Sequence, residues 1–338
     1  MTVFERLGDW WSGLRLPRLP SGTASDDDAG APARPRGRRA KRLALGILAL
    51  LLLYYPVGMI WIHRIDDDTS FAAPKIKDGE SRAVAITAAL IHREVDVNRW
   101  TANDPFFLPA AALDNMPNFQ QGIIAALSRF AIEMVDHIGR TRGSSQADPD
   151  LVKAAGLLKY SGTVWVFDPS VSWMPTASSE RQYRSARRRL LAYNARLGAG
   201  KAVFERRADN LLTTLGRFAA DLGSSSATLA QRVQEDSGRF IDFQADDIFY
   251  NVKGRLYAYY LLIKALGVDY DKVIAEKELG PSWRQLLESL KAAATLDPWV
   301  VVNGAPDSQF RPSHLASQGF YLLRARTQLK EITNILLK

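Results

Sequence analysis

Hydrophobic positions divide this chain into one unbroken apolar run and a long series of amphipathic segments. From Leu43 to Ile62 there are 20 residues without a charge, eleven of them Leu, Ile or Val. As a helix rising about 1.5 Å per residue, the run spans roughly 30 Å, the thickness of a bilayer core. Pro56 is a kink site of the kind lipid-embedded helices tolerate. Trp61 stands where an amphipathic ring meets headgroups. A buried soluble helix can be as apolar, but it is not expected after a Pro/Gly/Arg-rich linker. A cleaved signal peptide needs a shorter apolar core and a small-residue site close by. The nearest such site, Ser70-Phe71-Ala72, lies beyond His63-Arg64 and Asp66-Asp67-Asp68. The run reads as a retained transmembrane helix over residues 43–62.

Ahead of it, Val3, Phe4, Leu7, Trp10, Trp11 and Leu14 recur at helical spacing. They predict a short amphipathic cytoplasmic helix over residues 1–16, suited to the inner leaflet or a partner. Residues 17–42 are rich in Pro, Gly, Ala and Arg and are expected to form a disordered basic linker.

Beyond residue 63 the period is helical. A first helix is predicted over about 79–97, with Val84, Ile86, Leu90 and Ile91 on its apolar side. The prolines of Asn103–Pro109 mark a loop. A second helix is predicted over about 118–139, capped by Asn118 with Gln121 three residues on. Asp148-Pro149 opens a third, ending near residue 160. From Tyr183 to Leu222 apolar residues recur three or four apart, which predicts a coiled-coil-like helix of about 60 Å from Ser179. Gly198 and Gly200 are its candidate break points, Gly223–Ser226 its closing turn, and Thr228–Glu235 the start of a return helix. Further helices are expected at about 245–266, 270–278, 282–294 and 313–336. Thr163–Phe167 and Trp299–Val302 favour β structure and suggest two short strands paired with each other. The expected fold class is mainly α: one transmembrane helix, then an extended helical bundle over 63–338.

Composition and charge refine this picture. At 338 residues and 47% hydrophobic content the chain can fill a sizeable core. Residues 1–62 hold 9 Lys/Arg against 5 Asp/Glu, and residues 63–338 hold 35 against 31. Half of the net +8 is thus crowded ahead of and beside the apolar run, where anionic lipid is a closer partner than nucleic acid. Arg34, Arg36, Arg38, Arg39, Lys41 and Arg42 hold the N-terminal side in the cytoplasm, so residues from about 63 onward are expected to be exported. The absence of cysteine excludes disulfides, thiol nucleophiles and thiolate metal sites.

Candidate chemistry is sparse. Glu133 and His137 have metal-ligand spacing, but the same face carries Arg129, Asp136 and Arg140 and reads as a solvated, salt-laced surface, so neither metal nor cofactor is expected. The hydrolase and nucleotide fingerprints G-x-S-x-G, P-loop and G-x-G-x-x-G are missing. For carboxylate chemistry on a glycan the acids to test are Asp104, Glu133 and Asp148. Arg140, Arg142, Arg181, Arg184 and Arg188 are the candidate binding residues for anionic groups. Phe249, Tyr250, Tyr257, Tyr259 and Tyr260 could stack on sugar, although core packing is the better default.

Trp100 with Asn103-Asp104-Pro105-Phe106-Phe107, then Asp114–Gln120, then Gly139-Arg140-x-Arg142-Gly143-Ser144-Ser145 resemble the signature stretches of a family of proteobacterial membrane proteins of unknown function. The resemblance covers roughly residues 40–338. It implies a Gram-negative inner membrane and a periplasmic domain, and it brings no activity or site residues. The expected function is an anchored, non-catalytic scaffold or adaptor whose partners are the lipid bilayer and other envelope proteins, with no nucleic acid. The competing expectation is a hydrolase or lyase acting on peptidoglycan or another glycan through carboxylates in residues 92–148. The apolar run contains no G-x-x-x-G, so it offers no argument for pairing through lipid.

Overall fold

Helical propensity and apolar periodicity carry most of the described residues. The computed structural model describes residues 36–62, 64–74, 76–139, 147–167, 173–236 and 242–338. The predicted amphipathic helix over 1–16 and most of the predicted linker lie outside the described residues. Two compact units are present, Met1–Leu50 and Leu51–Lys338.

The first helix, α1, runs Arg36–Ile62. Within it Lys41–Ile62 has a mean hydropathy of 2.2, and none of its most apolar window is buried by protein. It is long and apolar enough to cross a membrane. It begins ahead of the predicted span because Arg, Lys and Ala are good helix formers.

The remaining helices form a bundle: α2 (Arg82–His92), α3 (Asn115–Glu133), α4 (Pro149–Leu158), α5 (Ser179–Gly198), α6 (Ala208–Asp236), α7 (Phe243–Asp269), α8 (Asp271–Glu276), α9 (Gly280–Ala294) and α10 (His314–Leu336). π-helical turns, Arg93–Val97 and Met134–Ile138, prolong α2 and α3. Ser81 caps α2, and Asp269 reaches over from the end of α7 to accept from Ser81 Oγ at 2.6 Å, Arg82 N at 2.9 Å and Ala83 N at 2.9 Å. A carboxylate at a helix N-terminus satisfies donors that have no intrahelical partner and complements the dipole.

Several expectations are corrected. Helix α3 starts three residues before Asn118, because Pro117 in the first turn gives up an N–H that needs no partner there. Asn118 is therefore no cap, and its amide donates to Asp247 Oδ1 at 2.6 Å. The long seam from Ser179 is two helices, parted at Gly198–Gly200, where Gly200 takes a left-handed φ of 68°. The Ser-rich stretch after Gly223 is no turn but the middle of α6. Its Ser224 and Ser225 hydroxyls donate back to Ala220 O and Asp221 O at 3.5 and 3.3 Å, which occupies them without ending the helix.

No strand forms among the described residues. Val164 and Val166 accept from Ser179 N and Thr176 N at 3.0 and 2.8 Å, while Val302 and Asn303 pair with His314 and Ser313. Each β-favouring run closes on its own following loop, which costs less chain entropy than meeting its distant counterpart.

Helix α7 is the axis of the core. Phe249, Leu256, Tyr257, Tyr259, Leu262 and Leu266 are all fully buried, so its aromatic positions serve packing. It crosses α3 at close range where Gly122 faces the Asn251 carbonyl and Gly254 faces the Phe119 carbonyl.

Candidate functional site

The three acids selected from sequence are engaged separately. Asp104 accepts from Arg99 at 2.8 and 3.0 Å; burial pushes its carboxyl up, and Arg99 only partly offsets this. Asp148 caps α4 through the Asp150 and Leu151 amides and accepts from Arg196 at 2.6 Å. Glu133 is buried, with one oxygen 3.9 Å from Arg217 and the other 4.0 Å from His137 and without a hydrogen-bond partner. Burial raises its carboxyl above the usual range, opposed by Arg217. No group of three metal-capable side chains occurs among the described residues.

The arginine row on α5 is only partly paired. Arg184 donates to Asp96 at 2.6 Å, Arg187 approaches the same carboxylate at 3.9 Å, and Arg188 donates to Ser185 at 2.7 Å. Arg181 is exposed, and Arg140 and Arg142 lie outside the described residues.

Carboxylates do converge elsewhere. Asp246 and Asp247, near the start of α7, meet Asp114 at the start of α3. Both are pushed up to about 6, first by burial and then by Asp114. Sequence shows an Asp-Asp pair and a distant Asp, with no signal that two helix starts bring them together. Protons held near 6 in the folded chain are released near 3.8 when it unfolds. The pair's stabilisation is thus complete below about 3.8 and lost as pH rises through about 6. We predict that Asp247→Asn, which keeps the acceptor for Asn118, stabilises the bundle at neutral pH by about 1 kcal/mol after allowance for solvent screening, and by nothing at about pH 4. Urea melts at the two pH values measure this.

The most constrained polar region joins the segment after α1 to the bundle. Arg93 is buried, donating to Glu94 Oε1 and Tyr257 OH at 2.7 Å each and lying 3.3 Å from Asp66. Its guanidinium sits over Phe71 and Tyr257, 4.7 and 4.9 Å from the ring centres. Lys253, with no exposed surface, pairs with Asp67 at 2.9 Å and donates to Leu296 O at 2.7 Å. Tyr257 OH donates to Asp68 O at 2.7 Å, and Lys264 to Thr69 O at 3.1 Å. Asp66–Asp68, which carry little weight for orientation, thus serve as a strap. Beside the strap lies a cavity of about 430 Å³ walled by Phe71, Ala85, Ala89 and Leu191, with Arg93 and Arg187 at its polar edge. Lys253→Met removes the buried cation and leaves Asp67 unpaired. It is expected to cost about 2 kcal/mol and to open residues 64–74 to limited proteolysis.

Both the apolar helix and the bundle are covered by one family model, described as an uncharacterized protein conserved in bacteria (DUF2333), which matches residues 43–242 and 241–338. The chain belongs to the DUF2333 family. No curated protein and no solved structure matches it. In this DUF2333 chain the segment that follows α2 is tied to α3 and to residues 162–164. Trp100 donates to Gly162 O at 2.8 Å, Asn103 to Val164 O at 2.8 Å, and Gln120 bridges Thr101 N and Arg99 O at 3.0 and 2.8 Å. Their shared task is to fix the turn after α2 against α3.

Proposed function

We propose that this DUF2333 chain is a single-pass adaptor of the bacterial envelope. Residues 43–62 cross the inner membrane with the N-terminus in the cytoplasm, and the bundle in the periplasm binds other envelope proteins without catalysis. The observation that carries this reading is the separate engagement of Asp104, Glu133 and Asp148. Asp104 and Asp148 are bound by Arg99 and Arg196, Glu133 faces Arg217 and His137, and none of the three lines the cavity beside the strap. The strap supports the same reading, because a bundle clamped to the residues that leave the membrane presents its surface at a set height.

One observation favours a glycan hydrolase instead: the partnerless buried oxygen of Glu133 beside His137. Complementation of a deletion strain separates the two. An Asp104→Asn, Glu133→Gln, Asp148→Asn chain that is stably present and restores the strain supports the adaptor, whereas one that is present and inactive supports the enzyme. Crosslinking in intact cells should recover reproducible envelope partners, and a C-terminal reporter should be active only outside the cytoplasm.

A further inference from the structure

The geometry points to a membrane-docking surface on the bundle: two aromatic loops seat their rings in the interfacial layer of the bilayer that α1 spans. This rests on the anchor reading above. The first loop carries Phe106 and Phe107, and Trp165 and Phe167 adjoin it. Phe106 is 85% exposed, as is 90% of Trp173 a few residues further on. Phe106, Phe107, Trp165 and Phe167 form a continuous chain of ring contacts, with centroids 5.6, 6.1 and 5.8 Å apart. Solvent-facing aromatics in contact with one another are costly in water and mark an interaction surface.

Their position selects the partner. Tyr55 OH donates to Phe106 O at 3.0 Å, and the Pro109 ring packs directly on Gly58, where a Cβ would overlap it. The loop therefore lies against the last two turns of the apolar helix. A surface in contact with a membrane-spanning segment at that depth meets headgroups and upper acyl chains, where Phe and Trp rings are favoured.

The second loop is tied to the same end of the apolar helix by an independent route. Lys253 holds Asp67 and also approaches Asp297 at 3.7 Å. Asp67 is five residues beyond Ile62, and extended chain covers at most about 3.6 Å per residue, so it stays within roughly 18 Å of the helix end. Two residues after Asp297 come Trp299 and Val300, and Phe310 in the same loop is 93% exposed. Two exposed aromatic loops thus lie near the point where the chain leaves the membrane.

The chain has no cysteine, so single-cysteine variants report one site at a time. We would label Phe107→Cys, Trp299→Cys, Leu51→Cys and Lys272→Cys with an environment-sensitive fluorophore and place the full chain in phosphatidylethanolamine/phosphatidylglycerol nanodiscs with spin-labelled lipid. All four positions are exposed, so folding should survive. Docking predicts blue-shifted emission at Phe107→Cys and Trp299→Cys with quenching at least about half that at Leu51→Cys, and none at Lys272→Cys. Quenching at Leu51→Cys alone leaves the anchor intact and overturns the docking surface, as does equal quenching at both loops and Lys272→Cys. An unquenched Leu51→Cys overturns the anchor reading and the docking surface with it.

Discussion

Gly254→Ala is expected to destabilise the bundle by about 3 kcal/mol, a fall of roughly 5–10 °C in Tm. At the crossing of α3 and α7 a Cβ on residue 254 would fall inside the van der Waals shell of the Phe119 carbonyl and press on the Ile123 amide. Gly122 makes the reciprocal approach to the Asn251 carbonyl and the Arg255 amide. The obstructing atoms are backbone, so no side-chain rotation relieves the overlap, and the helices must separate. Separation would loosen Phe119 against Tyr257, whose rings lie 5.9 Å apart in the centre of the core. Gly122→Ala should cost a similar amount. The double variant should cost less than the sum, because helices already moved apart accommodate the second methyl. Gly216 provides the contrast. It lies inside α6, and a methyl there would meet nothing within 4 Å, so Gly216→Ala should add about 0.5–1 kcal/mol through helix propensity and a less flexible unfolded chain. Thermal melts of the four variants in one detergent check the sign of each change.

Asp242→Ala should be at least as damaging, at about 3–5 kcal/mol. Asp242 ties three elements together. It accepts from Arg232 Nε of α6 at 2.9 Å and from Arg232 Nη2, caps α7 through the Ala245 amide at 3.1 Å, and accepts from Asn303 at 3.4 Å. Both members of the ion pair are buried. Alanine would therefore take a carboxylate away from a buried guanidinium and uncap the central helix together. Burial pushes the Asp242 carboxyl up, but the bonds from Arg232 and the Ala245 amide outweigh it and hold it below the usual carboxylate range. A depressed folded-state value contributes stability that is present above the unfolded-state value and lost as pH falls through the folded one. Asp246 and Asp247 act in the opposite direction, losing their contribution as pH rises through about 6. Stability should accordingly peak in mild acid, between these two transitions. Asp242→Asn should flatten the acid limb and leave the loss near 6 in place, as urea melts across pH would show.

What could be read along the chain depended on how local its cause was. The apolar run, the Asp148-Pro149 start and the helices near 245–266, 282–294 and 313–336 follow from periodicity and end signals within a few residues. Where two local signals competed, the tertiary environment chose. Gly223–Ser226 has turn composition, yet Leu222 and Leu229 are both buried on one face, and that burial carries α6 straight through. Thr163–Phe167 has strand composition, but its nearest available donors, Thr176 and Ser179, took the hydrogen bonds.

The candidate site was less legible, since a carboxylate's role is set by the groups facing it. Asp104, Glu133 and Asp148 stood out as acids near one another in sequence and were drawn to Arg99, Arg217 and Arg196 instead. Asp66–Asp68 carried little weight along the chain, and became a strap because Arg93 and Lys253 are buried opposite them.

By itself the sequence determined the helical class and one membrane-length apolar helix with basic residues ahead of it, because hydrophobic transfer and helix periodicity act over a single element. Only the tertiary structure decided which charges are paired, which glycines are irreplaceable and which aromatics face outward. Those properties belong to contacts between different elements, some of them, as Lys253 with Asp67 and Gly254 with Phe119, more than a hundred positions apart, where chain topology and not neighbouring composition sets the distance.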